Sequence, residues 1–281
     1  MTADFADDPV VQLAREAEQY DGVAPFDEAT LRAVERHPDR VRTFVEDDGC
    51  AVLTRAPQGL ELGVVVRPVA RRRGIGAALV RRALSDAGND TVHAWSHGNH
   101  PGAAALAARF GFEKVRELWV MRRPGRVEVD VPTLPSDYEL RSYQESDADE
   151  VVRVNAAAFA AHPEQGAMDA GELAERMADA WFDPAGLLVV AGPDGRLAGF
   201  HWTKQHSPEL GEVYVIGVDP SAQGLGLGKT LLLAGLRHLA QQGVDEVLLY
   251  VESDNAPAIA LYEKYGFTHA PSDTHTQYAR A

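Results

Sequence analysis

The stretch "VDPSAQGLGLGKTLL" (residues 218–232) sets glycines at 224, 226 and 228, just before an apolar run of helical period. Alternating glycines let backbone N–H groups approach an anion and permit left-handed backbone. The helix that follows adds the positive end of its dipole. The stretch therefore predicts a phosphate cradle. An earlier stretch, "VRPVARRRGIGAALV" (66–80), repeats the device. Val218 and Val66 lie 152 positions apart, and at that offset Pro220 falls on Pro68, Gly226 on Gly74, Gly228 on Gly76 and Leu231 on Leu79. Farther on, "LYEKYGF" (261–267) matches "LAARFGF" (106–112) at an offset of 155. Two ordered matches at nearly constant spacing indicate an internal duplication.

Between the copies, "RRPGRVEVDVPTLPSD" (122–137) carries three prolines and no helical period, which reads as a linker. The expected domains are 1–128 and 137–281, joined by 129–136. In the second copy "YELRSY" alternates as a strand, and "ESDADEVVRVNAAAF" and "GELAERMADAWF" read as helices. "GLLVVAG", "GRLAGFHWTKQ" and "GEVYVIGV" read as strands. "GLGKTLLLAGLRHLAQQG" is an amphipathic helix ending at Gly243, followed by the strand "EVLLYVE", the helix "NAPAIALYEKYG" and a last strand. That order predicts an α/β fold with a mixed sheet.

The composition narrows the function classes. The chain has 281 residues, is 45% hydrophobic and 25% charged, and carries a formal net charge of −15. A surplus of acid argues against a general nucleic-acid binder. Cys50 is the single cysteine, so an intramolecular disulfide and a cysteine metal cage are excluded, and a buried thiol in a reducing cytoplasm is expected. The acidic N-terminus does not read as a signal peptide, and no run of about 18 apolar residues predicts a membrane span. The loop does not complete a Walker A motif. A dinucleotide fingerprint fits poorly too, because the helix follows three strands. His93, His97 and His100 cluster around Trp95 without a carboxylate, so they read as solvated loop histidines and no metal is expected.

The element order, with Gln223-Gly224-Leu225-Gly226-Leu227-Gly228 and Arg71-Arg72-Arg73-Gly74-Ile75-Gly76 each opening a helix, resembles the GNAT acetyltransferases. The run from Asn255 to Phe267 matches that family's other signature. The resemblance covers most of both halves and implies two tandem GNAT domains, each a mixed central sheet flanked by helices, with acetyl-CoA as cosubstrate. The tandem layout, "HPEQG" (162–166), "GEVYVIGVDP" (211–220), "LYVESDN" (249–255) and "YDGVAPFDE" (20–28) resemble the mycothiol synthases within that superfamily. That likeness implies transfer of acetyl to the cysteine amine of the small molecule Cys-GlcN-Ins, by a cytoplasmic monomer that binds neither nucleic acid nor membrane. Two other readings stay open: a tandem acetyltransferase for another amine, such as an aminoglycoside or a protein N-terminus, and a non-catalytic acyl-CoA sensor.

The resemblance assigns roles residue by residue. Gln223, Gly224, Leu225, Gly226, Leu227, Gly228 and Lys229 would cradle the pyrophosphate, with Asn255 and Ala258 also on the cosubstrate. Ile216, Gly217 and Val218 would offer backbone N–H groups to the thioester oxygen. In the first copy the matching set is Val64, Val65, Val66, Arg72, Arg73, Gly74, Ile75, Gly76 and Ala77. Glu212 would be the general base, since strand alternation puts Glu212, Tyr214 and Ile216 on one face. Tyr262 would be the general acid. Asp21, Glu164, Lys204, Glu212 and Tyr250 would contact the acceptor. At the repeat offsets Glu212 falls on Leu60, Tyr262 on Ala107, Tyr250 on Trp95 and Asn255 on His100. The first copy thus keeps a cradle without base or acid, which predicts one active site, in the second domain.

Overall fold

The computed structural model describes residues 8–56, 58–160 and 165–281. Two compact units divide the chain: Met1–Trp119 with Ala270–Ala281, and Val120–His269. In the first, Asp8 caps helix α1 (Pro9–Asp21) by accepting from Val10 N at 2.8 Å, and Pro9 takes a first-turn place where no N–H is needed. Val10, Leu13, Ala14 and Ala17 give that helix one buried stripe. Next come helix α2 (Glu28–Arg36), strands β1 (Val41–Glu46), β2 (Gly49–Ala56) and β3 (Gly59–Val66), helix α3 (Ile75–Ala87), strand β4 (Val92–Ser96) and helix α4 (Pro101–Phe110).

Strands β1, β2 and β3 form an antiparallel meander, and β3 runs parallel to β4 through Leu60↔Val92 and Glu61↔His93. Beyond those pairs the two strands part. The end of the chain supplies a further strand: β11 (Thr268–Arg280) lies antiparallel to β4 from Thr276↔Ser96 to Arg280↔Val92. Leu53, Leu60 and Leu62 pack against Leu79 of α3 on one face of the sheet. Cys50, Val52 and Val65 pack against Leu13 of α1 on the other. Burial raises the Cys50 thiol to about 12, so it acts as a small apolar residue.

The second unit receives the last residues of β5 (Glu113–Pro124), then strand β6 (Glu139–Ser142), helices α5 (Ala148–Ala158) and α6 (Ala170–Met177), and strands β7 (Leu187–Ala191), β8 (Leu197–Gln205) and β9 (Leu210–Val218). Helix α7 (Leu227–Gln242), strand β10 (Glu246–Glu252) and helix α8 (Ala256–Lys264) complete it. Its strand order is β5-β10-β9-β8-β7-β6. Asp147 accepts from Gln144 N and pairs with Arg141, which holds its carboxyl below the usual range at the start of α5. Helix α6 stops at Met177, short of the helix expected through 182. Trp181 and Phe182, freed from it, pack instead on Trp202 of β8.

Strand β9 carries the feature that positions the site. Its antiparallel ladder with β8 runs Gly199↔Val218 to Trp202↔Val215, then jumps to Thr203↔Val213, leaving Tyr214 unopposed as a β-bulge. Glu212 therefore shares a face with Lys204, Trp202 and Val215, toward α5 and α6. Ile216 lies on the opposite face, against Leu227 and Leu231 of α7. The expectation of Glu212, Tyr214 and Ile216 on one face fails at Ile216, because the extra residue reverses the alternation. The parallel pairing of β9 with β10 runs from Leu210↔Glu246 to Val213↔Leu249. The strands part at the bulge.

The β2–β3 ladder has no such bulge, running unbroken from Gly49↔Val66 to Ala56↔Gly59. Counted from the matching pairs Gly49↔Val66 and Gly199↔Val218, Thr54↔Glu61 stands where Lys204↔Glu212 stands. The ladder counterpart of Glu212 is Glu61. This corrects the alignment to Leu60, which ignored the inserted Tyr214.

Candidate active site

The glycine loop of the second unit has the backbone its sequence calls for. Gly224 and Gly226 have φ of 83° and 76°, and a Cβ at either would meet no heavy atom within 4 Å. Open space thus faces both residues at the N-terminus of the 16-residue helix α7, where unpaired N–H groups and the dipole favour an anion. Leu225 is exposed and Leu227 buried in the core, so the loop contributes its backbone and Leu227 its anchor. Gly228 carries more room than the loop needs, since a Cβ there would sit 3.9 Å from Val218. Gly217 has another reason to be glycine: a Cβ would come 2.8 Å from Phe200, so its side faces the core.

Below the parting of β9 and β10 lies a polar cluster in an aromatic setting. Glu212 is buried, at 4% exposure, and its Oε2 lies 2.6 Å from His206 Nε2. Lys204, at 3% exposure, stands opposite Glu212 in the ladder, with Nζ 4.5 Å from the Trp181 ring centroid and 5.4 Å from that of Tyr214. Burial pulls the Lys204 ammonium down to about 8, while the Glu212 charge opposes the fall. Two aromatic faces offset part of the desolvation. Arg176 of α6 donates to Tyr214 Oη at 3.3 Å. Leu248 pairs with Glu212, so Tyr250, two residues on, shares its face and is exposed beyond the point where the strands part.

Tyr262 sits half-buried on α8 with its ring edge-on to Phe267, centroids 5.9 Å apart. Burial raises its phenol to about 12. Asn255 caps α8, its Oδ1 accepting from Ala258 N at 3.2 Å. Among the expected acceptor residues, Lys204, Glu212 and Tyr250 share one sheet face. Glu164 lies outside the described residues. Asp21 lies in the first unit, where it forms a two-bond ion pair with Arg71 at 2.6 and 2.7 Å. The sequence reading missed His206, Trp181 and Arg176. "HWTKQHSPELGE" does place His206 two residues after Lys204, a period-2 signal for a shared face.

In the first unit, a cavity of about 690 Å³ opens where β3 and β4 part. Val64, Val65, Val66, Arg72, Gly74, Ile75, Gly76 and Ala77 line it, and Arg73 does not. Its lining carries one carboxylate, Asp21, and has Ala107 at the repeat position of Tyr262. Arg71 spends its guanidinium on Asp21 and on Val66 O, at 3.1 Å for the latter, so it braces the loop. Arg72, at the repeat position of Gly224, adopts φ of 66°. The histidines are structural rather than solvated. His97 Nδ1 lies 2.9 Å from His275 Nδ1 on β11, and burial lowers the His97 pKa. His100 caps α4, accepting from Gly102 N at 3.1 Å. Among the described residues no three His, Cys, Asp or Glu side chains converge as metal ligands, and no helix is long and apolar enough to cross a membrane.

In both units two parallel strands part, and the first of them leads into a glycine loop and a helix N-terminus, an arrangement that defines a class. The acetyltransferase (GNAT) family model matches residues 8–112 and 151–267, and the chain belongs to that family. Within it, the chain is similar over nearly its whole length to curated mycothiol acetyltransferases. One from Nocardioides sp. (strain ATCC BAA-499 / JS614) is 54% identical, with 96% of each chain covered. Another, from Rhodococcus jostii (strain RHA1), is 46% identical, covering 97% of this chain and 94% of that one. A tandem GNAT protein from the clavulanic acid biosynthesis pathway shares the fold at a TM-score of 0.74, with 21% identity over 99% of this chain and 96% of that one. The chain is thus an acetyltransferase of the tandem type.

Proposed function

We propose that this chain transfers the acetyl group of acetyl-CoA to the cysteine amine of Cys-GlcN-Ins, giving mycothiol, and that the chemistry takes place in the second unit. The observation that carries the assignment is a buried carboxylate, Glu212, set opposite a buried lysine at the bulge where β9 and β10 part. The curated relatives' shared name supports the acceptor.

Each group has one task. Backbone N–H groups from 223–229, with the N-terminus of α7, hold the pyrophosphate. An N–H from 216–218, on the side of β9 away from β8, donates to the thioester oxygen as negative charge grows there. Glu212 takes a proton from the acceptor ammonium, and the freed amine attacks the carbonyl carbon. As the C–S bond breaks, Tyr262 offers its proton to the sulfur and regains one from the nitrogen. A phenol at about 12 is a weaker acid than a thiol, so its proton moves only together with the nitrogen's. Lys204, Tyr250 and Glu164 contact the acceptor.

The first unit takes a second acetyl-CoA in its cavity without turnover. Its one lining carboxylate is engaged by Arg71, and Ala107 supplies no acid. The first unit is then the binding half and the second the catalytic half. The enzyme acts as a monomer in the cytoplasm and binds neither nucleic acid nor membrane. Release of CoA with Cys-GlcN-Ins, compared with an aminoglycoside and a peptide N-terminus, tests the acceptor. A preference of about 100-fold or more in kcat/KM for Cys-GlcN-Ins is expected. Equal rates across the panel would overturn the acceptor and leave the acetyltransferase standing.

A further inference from the structure

His206 lies on the same sheet face as Lys204 and diagonally across from Glu212, at the tight turn between β8 and β9. Its backbone is fixed there, since His206 N donates to Leu210 O at 2.9 Å. The ring meets the carboxylate at 2.6 Å, the length of a charge-assisted hydrogen bond. The two side chains differ in setting: that of Glu212 is buried and that of His206 is half-buried. A buried carboxylate has two oxygens, and a base needs one of them aimed at the amine. Lys204, also on this face, has its ammonium over Trp181 and Tyr214. Ser207 and Glu209, the polar residues of the turn, bond to each other at 2.9 Å.

We propose that His206 is the positioning residue of the acetyl transfer: its Nε2–H holds Oε2 of Glu212, so that Oε1 is the oxygen presented to the acceptor amine. The proposal rests on the reading of Glu212 as the base. Losing the bond leaves the carboxylate free to rotate about its side-chain torsions, and small misplacements of a reacting group cost up to about 100-fold in rate. Substrate contacts are untouched, so the cost falls on kcat rather than on KM for acetyl-CoA.

The test is a kinetic series on the full chain: His206→Ala, His206→Gln, Glu212→Gln, and the double change of His206→Ala with Glu212→Gln. Melting curves and acetyl-CoA binding show which variants stay folded. Ala at 206 should lower kcat about 10- to 100-fold with KM for acetyl-CoA unchanged. Gln, which brings an N–H to a similar reach, should recover most of the loss, and Ala at 206 should cost nothing further once Glu212 is Gln. If Gln is as poor as Ala, or if Ala keeps the full kcat while Glu212→Gln is inactive, His206 does not position the base. Full activity in Glu212→Gln would instead remove the base itself. If Ala at 206 fails to fold, the Gln variant decides alone: a kcat near the native value upholds the proposal, and a loss of about 10-fold or more overturns it.

Discussion

Glu61 and Glu212 occupy the same ladder position in the two units, opposite Thr54 in one and opposite Lys204 in the other. The carboxylates differ in what surrounds them. Glu212 is buried, bonded to His206 and set at a bulge. Glu61 is half-buried in an unbroken ladder and does not line the cavity of its unit. Glu212→Gln should lower kcat by about 10²- to 10⁴-fold, the usual worth of a general base. Glu61→Gln should leave kcat nearly unchanged. Comparable losses in steady-state assays of the two variants would place chemistry in both units.

Lys204 should leave a mark on stability against pH. Its folded pKa of about 8 lies below the ordinary 10.5, so the folded state disfavours the ammonium. The unfolded chain binds more protons between those values, and stability rises with pH from about 8 to about 10.5, by roughly 3 kcal/mol in all. Below pH 8 the penalty is fully present. Denaturant unfolding of the native chain and of Lys204→Met across that range measures it. The native chain should gain on the variant as pH rises. A constant difference would mean the ammonium is well solvated.

Arg72 carries strain that its counterpart Gly224 avoids. Both have left-handed φ, 66° and 83°, and only glycine holds that conformation without a Cβ clash. Arg72→Gly should stabilise the first unit by about 1 kcal/mol. It should also weaken acetyl-CoA binding there, because a cation leaves the cavity wall. Calorimetry of unfolding and of ligand binding reads both. Unfolding at a lower temperature in the variant would contradict the strain.

Gly235 looks out of place inside a helix, where glycine costs about 1 kcal/mol. The reason is His201, which is fully buried and donates from Nδ1 to Leu231 O at 2.7 Å. A Cβ at 235 would come 1.9 Å from its Cε1. Gly235→Ala should cost about 2–3 kcal/mol by overpacking, and adding His201→Ala should restore part of the loss. No recovery in the double variant, followed by circular dichroism on heating, would mean that the helix and not the ring sets the constraint.

Much of the site was legible because its signals are local. Gly224, Gly226 and Gly74 adopt the left-handed backbone that the motif implies, and the run from Asn255 begins with a helix cap. His206, Trp181 and Arg176 carried no such signal, because they meet Glu212, Lys204 and Tyr214 only through strand pairing and the end of α6. The helix expected through 182 ended at Met177 for the same kind of reason: Trp181 and Phe182 pack on Trp202 of β8, a partner distant in the chain.

By itself the sequence determined the duplication, the two glycine loops and the helices they open, since these follow from neighbours within a few residues of one another. Only the tertiary structure decided which residue of β3 stands for Glu212 and which face Ile216 takes. A bulge adds one residue to one strand of a pair, and with a side-chain period of two, one residue exchanges the faces of everything beyond it. Tyr214 is that residue. The sequence offset stays constant across it, so Leu60 aligns with Glu212 in the chain while Glu61 stands in its place in the sheet.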